Sequence, residues 1–123
     1  MTSINYMPKA RLLEGVANAQ NVQRLAQNTV KYIVNGETRI RYVKTDIVTT
    51  LPDGTIILNA GDLHSATTKK RINEQLPPGY VLTQKDFQWF LNGVPFENGM
   101  RIKASGRIVG PDDVHTIKLA LAA

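Results

Sequence analysis

Apolar residues recur at helical spacing near the start of the chain, within residues 9–27. Side chains three or four residues apart share one face of a helix, with polar residues opposite. The pattern predicts an amphipathic helix whose thin apolar face packs on a partner, either the sheet of the same domain or another chain. The residues on that face are Leu12, Val16, Ala19, Val22 and Ala26.

From Val30 onward the period changes from helix to strand. Asn35-Gly36 follows a short apolar run, and this dipeptide is a strong signal for a two-residue hairpin turn. The next segment, TRIRYVKTDIVTT at 38–50, is rich in β-branched residues, but its apolar residues change face part-way along. A bulge, or burial on both faces, would explain the change.

The second half of the chain alternates turn signals with short apolar runs. LPDG at 51–54 predicts a type I turn, in which Asp53 is explained by the turn itself. A short helix follows, with Thr67 or Thr68 as its N-cap, and two further turns are expected at Asn92-Gly93 and Asn98-Gly99. The alternation at 114–121 predicts a C-terminal strand.

These elements predict one α+β domain over residues 1–123. Its parts are an N-terminal helical arm at 1–28, a core at 29–109 and a C-terminal strand within 110–123. The core is expected to be a mostly antiparallel β-meander with one short basic helix inserted. At 123 residues the chain is long enough for an ordinary hydrophobic core.

Composition favours an anionic partner. The formal net charge is +5 and the calculated pI is about 9.7, so long-range attraction to polyanions is expected, although many small basic domains bind no nucleic acid. There is no cysteine, which excludes disulfides and thiolate chemistry and fits a reducing cytoplasm. No apolar run is long enough to span a membrane, so a soluble protein without membrane partners is expected.

Catalytic motifs are absent. No glycine-rich phosphate loop occurs, and His64 and His115 lack the spacing of metal ligands, so no enzyme, no cofactor and no metal site are predicted. His115 falls on the apolar face of its predicted strand, where a core histidine is the common explanation. His64 falls in a loop near cations and is the better functional candidate.

The short helix carries three consecutive cations, Lys69, Lys70 and Arg71, next to Thr67 and Thr68. If the helix begins at these threonines, the cations lie at its positive end, where they are unfavourable unless an anion binds. We therefore expect a phosphate site there. The alternatives are that the cations only face solvent, or that Arg71 forms a salt bridge to Asp62 or Glu74.

A second basic cluster lies on the predicted sheet. Arg39 and Arg41 share one face of a strand and Tyr42 the other, an arrangement that suits phosphate contact and base stacking. Asp46, in a partly buried strand, is expected to pair with Arg39, Arg41 or Lys44. Three aromatic residues either extend this platform or belong to the core; they are Tyr80, Phe87 and Trp89.

The chain resembles a widespread group of small, uncharacterised proteins of bacteriophages and other mobile elements. The resemblance covers about residues 39–102 and departs from the group's pattern at 61–64, where a glycine pair and an aromatic residue are usual. It implies phage origin and no particular activity. The motifs that carry it are TDIV (45–48), PDGTI (52–56), TTK (67–69), RIN (71–73), LP (76–77) and WF (89–90).

We therefore expect a small, non-enzymatic phage accessory protein that binds nucleic-acid phosphates. The alternative is a protein-binding module, either an inhibitor of a host defence or transcription component or a small virion structural protein. Host or phage proteins are then partners, and a homo-oligomer or larger assembly is expected. The expected location is the host cytoplasm or, for the structural role, the virion.

Overall fold

The computed structural model describes residues 6–62 and 64–112, which contain two α-helices and ten β-strands. The helices are α1 (Lys9–Leu12) and α2 (Ala66–Asn73). The strands are β1 (Gln20–Ala26), β2 (Thr29–Val34), β3 (Glu37–Tyr42), β4 (Thr45–Thr50), β5 (Ile56–Leu58), β6 (Leu82–Lys85), β7 (Gln88–Leu91), β8 (Val94–Pro95), β9 (Arg101–Ile102) and β10 (Ile108–Val109).

The strands form two antiparallel sheets. The larger has the order β1-β2-β3-β4-β5-β9-β10 and the smaller the order β6-β7-β8. Since consecutive strands are neighbours from β1 to β5, the predicted antiparallel meander is confirmed. Helix α2 is inserted between β5 and β6 in sequence and contacts β4 of the larger sheet and β6 of the smaller one.

Two-residue turns join the strands where the sequence predicted them. Asn35 and Gly36 have φ of 52° and 77°, and Asn92 and Gly93 have φ of 49° and 82°. Both pairs occupy the left-handed region that hairpin turns of this length require, and asparagine and glycine tolerate that region best. The predictions at these two positions are confirmed.

The change of face within 38–50 has two causes. The segment is a hairpin rather than one strand, because Val43 adopts φ of 56° and the chain turns between β3 and β4. In addition, Ile40 pairs with Val48 while Arg41 pairs with Asp46, so β4 has one extra residue at this point. The predicted bulge is therefore present, together with a turn that the sequence did not reveal.

The predicted helix at 9–27 is wrong beyond Leu12. Gly15, Asn18 and Asn21 have φ of 82°, 62° and 52°, which a right-handed helix cannot accommodate. Residues of the expected arm instead form β1, an edge strand of the larger sheet. The apolar residues still pack together, since Leu12, Val16, Ala19 and Val22 belong to a small cluster around Val30 and Tyr32 of β2.

The main core lies between the two sheets. Ile40, Val48 and Leu58 are directly opposite one another in neighbouring strands of the larger sheet, and they face α2 and the smaller sheet. Ile72 of α2 is fully buried in this cluster, as is Trp89 of β7. The other face of the larger sheet carries Tyr32 and the arginines of β3 and is partly covered by the N-terminal segment.

The strand predicted at 114–121, with His115, lies outside the described residues. Within the described ranges, no helix is long and apolar enough to cross a membrane.

Candidate anion-binding site beside helix α2

Helix α2 begins earlier than the sequence suggested. Ser65 is the N-cap, and its hydroxyl oxygen accepts a hydrogen bond from the backbone N–H of Thr68 at 3.1 Å. The Thr68 hydroxyl lies 2.8 Å from the same oxygen and is buried. Serine is a favoured N-cap because its short side chain reaches this amide. The prediction that Thr67 or Thr68 caps the helix is therefore wrong.

This shift changes the electrostatic interpretation of the three cations. Lys70 and Arg71 lie in the last turn of α2, not the first. Cations at a helix C-terminus interact favourably with the helix dipole, so their presence does not by itself require an anion. The expectation of a phosphate at the helix N-terminus loses its original argument, and any site here must depend on side-chain geometry.

Arg71 is held in place by two polar contacts. Its Nε donates to the Thr29 hydroxyl at 3.1 Å, and its Nη1 lies 3.3 Å from the Glu74 carboxylate. The salt bridge to Glu74 is one of the two that the sequence suggested. Only 13% of the Arg71 side chain is exposed. Its second terminal nitrogen, Nη2, takes no part in these bonds.

A cavity of about 480 Å³ opens beside Arg71. Thr67, one helical turn before Arg71, lines the same cavity, as do Gln27 and Asn28 of the β1–β2 turn. The Asn28 side-chain oxygen already accepts a hydrogen bond from the Met7 backbone N–H at 2.7 Å. Among the described residues, Arg71 is the single charged one in the lining, and Glu74, which pairs with its Nη1, does not line the cavity. We call this the Arg71 cavity. Its lining residues are Met7, Gln27, Asn28, Tyr42, Val43, Thr67 and Arg71.

A second cavity of about 350 Å³ adjoins the first. Tyr42 and Val43 line both, so the turn between β3 and β4 separates them. Ile47 and Ala60 make this second cavity more apolar. We call it the Val43 cavity. Its lining residues are Tyr42, Val43, Lys44, Thr45, Ile47, Ala60, Asp62, Ser65 and Thr68.

The other two cations of α2 are more accessible. Lys70 is exposed, and Lys69 is half-buried with its Nζ 3.5 Å from the Gln84 side-chain oxygen of β6. Neither lines the Arg71 cavity. They contribute long-range attraction for an anion rather than fixed contacts.

Arg39 and Arg41 form ion pairs with carboxylates of the same chain. Arg39 Nη1 lies 3.1 Å and Arg41 Nη1 3.2 Å from the two oxygens of Asp46, which confirms the predicted salt bridges of that carboxylate. Arg39 also pairs with Glu37, whose carboxylate raises the pKa of Arg39. Two carboxylates thus balance the two guanidinium groups, on the face of the sheet opposite α2. These arginines are not brought together with Lys69, Lys70 or Arg71.

Tyr32 completes this network and provides a pH-dependent test. Its hydroxyl donates to Asp46 at 2.7 Å. Burial first, and then this hydrogen bond, raise the pKa of Tyr32 above its ordinary value of 10.0. The folded state therefore favours the protonated phenol, and the stabilisation is complete below pH 10.0 and is lost as pH rises through the higher pKa of the folded state.

We predict that Tyr32→Phe lowers the free energy of unfolding by about 1.5 kcal/mol at neutral pH, since one hydrogen bond to a charged acceptor is lost. The variant should also lose less stability than the wild type between pH 9 and pH 11. Urea denaturation across this range measures both effects. An unchanged alkaline dependence would show that Tyr32 does not titrate as described.

His64 lies among aromatic rings rather than cations. Its ring is T-shaped against Trp89, with centroids 4.7 Å apart, and against Phe96 at 5.8 Å. Trp89 is a core residue, with 1% of its surface exposed, so it cannot stack bases as a platform. Tyr80 packs against the same core and donates its hydroxyl to the Gly106 carbonyl. Of the three aromatic residues considered for a stacking platform, Tyr80, Phe87 and Trp89, Phe87 alone is fully exposed.

The Arg71 cavity could not be anticipated from motifs, because four separate segments form it. Thr29 and Arg71, which meet through a hydrogen bond, are 42 residues apart in sequence. The single usable signal was the cluster of polar residues at Thr67–Arg71.

Among the described residues, no three histidine, aspartate or glutamate side chains are grouped so that they could hold a metal ion.

Comparison with known proteins identifies the family. Residues 7–103 match the family described as "Kyanoviridae Gp96 protein". The chain belongs to this family of phage proteins. The match includes α1 and every strand from β1 to β9, so it extends further towards the N-terminus than the resemblance over 39–102 suggested. No curated protein and no solved structure matches this chain.

Proposed function

We propose that this phage protein is non-enzymatic and binds nucleic-acid phosphates in the Arg71 cavity. The observation that supports the proposal is the lining itself. Arg71, Thr67, Gln27 and Asn28 all carry side-chain hydrogen-bond donors, and the space that they line has no acidic residue in its lining. These are the donors that bind phosphate oxygens in proteins.

The contacts of Arg71 favour such binding. Thr29 and Glu74 fix the plane of the guanidinium through Nε and Nη1, so little side-chain freedom is lost when an anion binds. Nη2 is left to donate to a phosphate oxygen. Glu74 cancels part of the charge, and Lys69 and Lys70 on the same helix supply further positive potential.

The size of the cavity suits part of a nucleotide. Ligand sites in proteins commonly range from about 300 to 1,000 Å³, and this cavity measures about 480 Å³. Tyr42 offers an aromatic ring at the wall shared with the Val43 cavity, where a base or sugar could pack. Because no element in the described residues matches a base-reading motif, binding is proposed to depend on phosphate and not on sequence.

Arg39 and Arg41 are not included in the proposed contact surface. Their positive charges are balanced by Glu37 and Asp46, and an incoming phosphate would have to displace these carboxylates. His64 is likewise left out, since it contacts Trp89 and Phe96. The proposal therefore keeps Thr67, Lys69, Lys70 and Arg71 of the original prediction.

The test is a triple variant, Lys69→Glu/Lys70→Glu/Arg71→Glu, assayed by fluorescence anisotropy with labelled single-stranded DNA at several salt concentrations. We expect at least a tenfold loss of affinity near 0.1 M salt and a decrease of up to about three in the slope of log affinity against log salt. Thermal denaturation establishes that the variant is folded.

A matched control distinguishes a loss of binding at the site from a loss caused by the lower net charge. Lys9→Glu/Arg11→Glu/Arg107→Glu makes the same change of net charge at three exposed cations, none of which lines the Arg71 cavity. Binding by this control should fall much less. Equal losses in the two variants would mean that any basic surface suffices, and the proposed site would be rejected.

The proposed location is the host cytoplasm, where nucleic acid is accessible. A protein-binding role is the second candidate, including a virion component or an inhibitor of a host protein. One specific observation favours it, which is the full exposure of Phe87 at the end of the β6–β7 hairpin.

A further inference from the structure

Phe87 lies at the tip of the hairpin formed by β6 and β7. The two turn residues, Asp86 and Phe87, have φ of 51° and 67°. Phe87 is 95% exposed, the highest exposure among the large apolar side chains of the described residues. The flanking residues of the strands are polar and also exposed, so the ring stands alone at the end of the hairpin.

Neither the turn nor the core explains why residue 87 is a phenylalanine. A two-residue turn with positive φ at both positions favours glycine at the second position, and a bulky side chain there is strained. Nor does the ring contribute to the core, because almost none of its surface is buried. A strained residue that is held fully exposed points to a contact outside the chain.

The Val43 cavity is a suitable receptor for this ring. Its wall includes Val43, Ile47 and Ala60 together with the ring of Tyr42, and its volume is about 350 Å³. An apolar cavity of about 150 Å³ already holds a benzene molecule. The volume of the Val43 cavity is therefore sufficient for a phenyl ring.

The charges of the two surfaces are complementary. Lys85 and Asp86 flank Phe87 at the tip, while Lys44 and Asp62 line the Val43 cavity. No salt bridge within the described residues engages any of these four side chains. One copy's Lys85 can therefore approach Asp62 of another, and its Asp86 can approach Lys44, so that each charge meets its opposite.

We propose that the protein self-associates head to tail, with Phe87 of one copy inserted into the Val43 cavity of the next. The tip and the cavity are different surfaces of the molecule, so the contact is heterologous. Each added copy then leaves one free tip and one free cavity, which produces a closed ring or an open chain. This goes beyond phosphate binding, which uses the neighbouring Arg71 cavity.

The first test is Phe87→Gly, compared with the wild type by light scattering after size exclusion from micromolar to millimolar concentration. We expect the variant to remain monomeric where the wild type associates. Its thermal stability should be unchanged or higher, because glycine accepts the positive φ without strain. The control, Val94→Ser, removes another exposed apolar side chain of the same small sheet and should associate as the wild type does.

The second test uses complementation. Lys44→Glu/Asp62→Lys reverses the charges beside the cavity without altering the net charge, and it should also remain monomeric. Mixed with Phe87→Gly, it supplies the missing tip while the other chain supplies the cavity, so a one-to-one dimer that does not grow is expected.

Three results would overturn the proposal: a wild type that is monomeric at all concentrations, a Phe87→Gly variant that associates normally, or a mixture that forms no dimer. If the wild type is monomeric but needs Phe87 to bind a different protein, the occupant is that protein and not a second copy.

Discussion

Replacing Trp89 by alanine is expected to lower the free energy of unfolding by about 4 kcal/mol. Trp89 is the largest fully buried side chain among the described residues, and 1% of its surface is exposed. It packs against Phe96 at a centroid distance of 5.6 Å and against His64 at 4.7 Å, where the small sheet meets the main core. Truncation leaves a cavity that these neighbours can fill only in part.

Urea denaturation followed by circular dichroism measures this loss. Phe90→Ala is the matched control, since Phe90 is the next residue of β7, is half-buried and points to the opposite face of the strand. Phe90→Ala should lower the free energy of unfolding clearly less than Trp89→Ala does. A loss below about 1.5 kcal/mol for Trp89→Ala would mean that the two sheets are not held together by this ring.

The second large effect is expected for Asp46→Ala, which should lower the free energy of unfolding by about 2 kcal/mol. The substitution removes the acceptor shared by Tyr32, Arg39 and Arg41 and leaves two guanidinium groups with one carboxylate. Breaking a fully buried ion pair costs more, about 3 to 5 kcal/mol, but 32% of the Arg39 side chain and 19% of the Asp46 side chain are exposed, so solvent screens the loss.

A double-mutant cycle tests the assignment to this network. Asp46→Ala combined with Arg41→Gln should cost less than the two single variants added together, because the second change removes a charge that the first left unpaired. Asp53→Ala, which changes an exposed turn carboxylate, is the control and should be additive with Arg41→Gln. Additivity in both cycles would contradict the role of Asp46.

Local signals predicted the parts of the fold that local chemistry determines. The Asn-Gly turns adopt positive φ because these residues tolerate it, and the Asp53 carboxylate accepts a hydrogen bond from Thr55 N at 2.8 Å, as its turn requires. The ion pairs of Asp46 were predicted because Arg39 and Arg41 are near it in sequence, although the pairing of β3 with β4 that brings them together was not predicted.

Other parts depended on contacts between distant segments. Residues 20–26 satisfy a helical spacing, but pairing with β2 provides backbone hydrogen bonds for a strand, and this pairing is not visible in the spacing. The turns at Val43 and Phe87 use side chains that rarely adopt positive φ, so composition gave no reason to expect them. The N-cap was misplaced because serine and threonine are both suitable caps, and only the geometry selects Ser65.

Part of the candidate site was predicted, but the argument from the helix dipole that led to it was wrong. Thr67 and Arg71 do line one cavity, but Lys70 and Arg71 lie in the last turn of α2, where the dipole favours cations. What brings the site together is the packing of α2 against the β1–β2 and β3–β4 turns. That packing depends on burial of Ile72 in the core, which sequence periodicity alone does not orient.

The most direct test of phosphate binding in the Arg71 cavity is a nuclear magnetic resonance titration of the ¹⁵N-labelled protein with a short single-stranded DNA. We predict saturable shifts for the Thr67 amide and the Arg71 Nε resonance at concentrations that leave the resonances of Arg39 and Arg41 unchanged. Saturable shifts at Arg39 and Arg41 without any at Thr67 and Arg71, or no saturable shift at any of the four, would contradict the account.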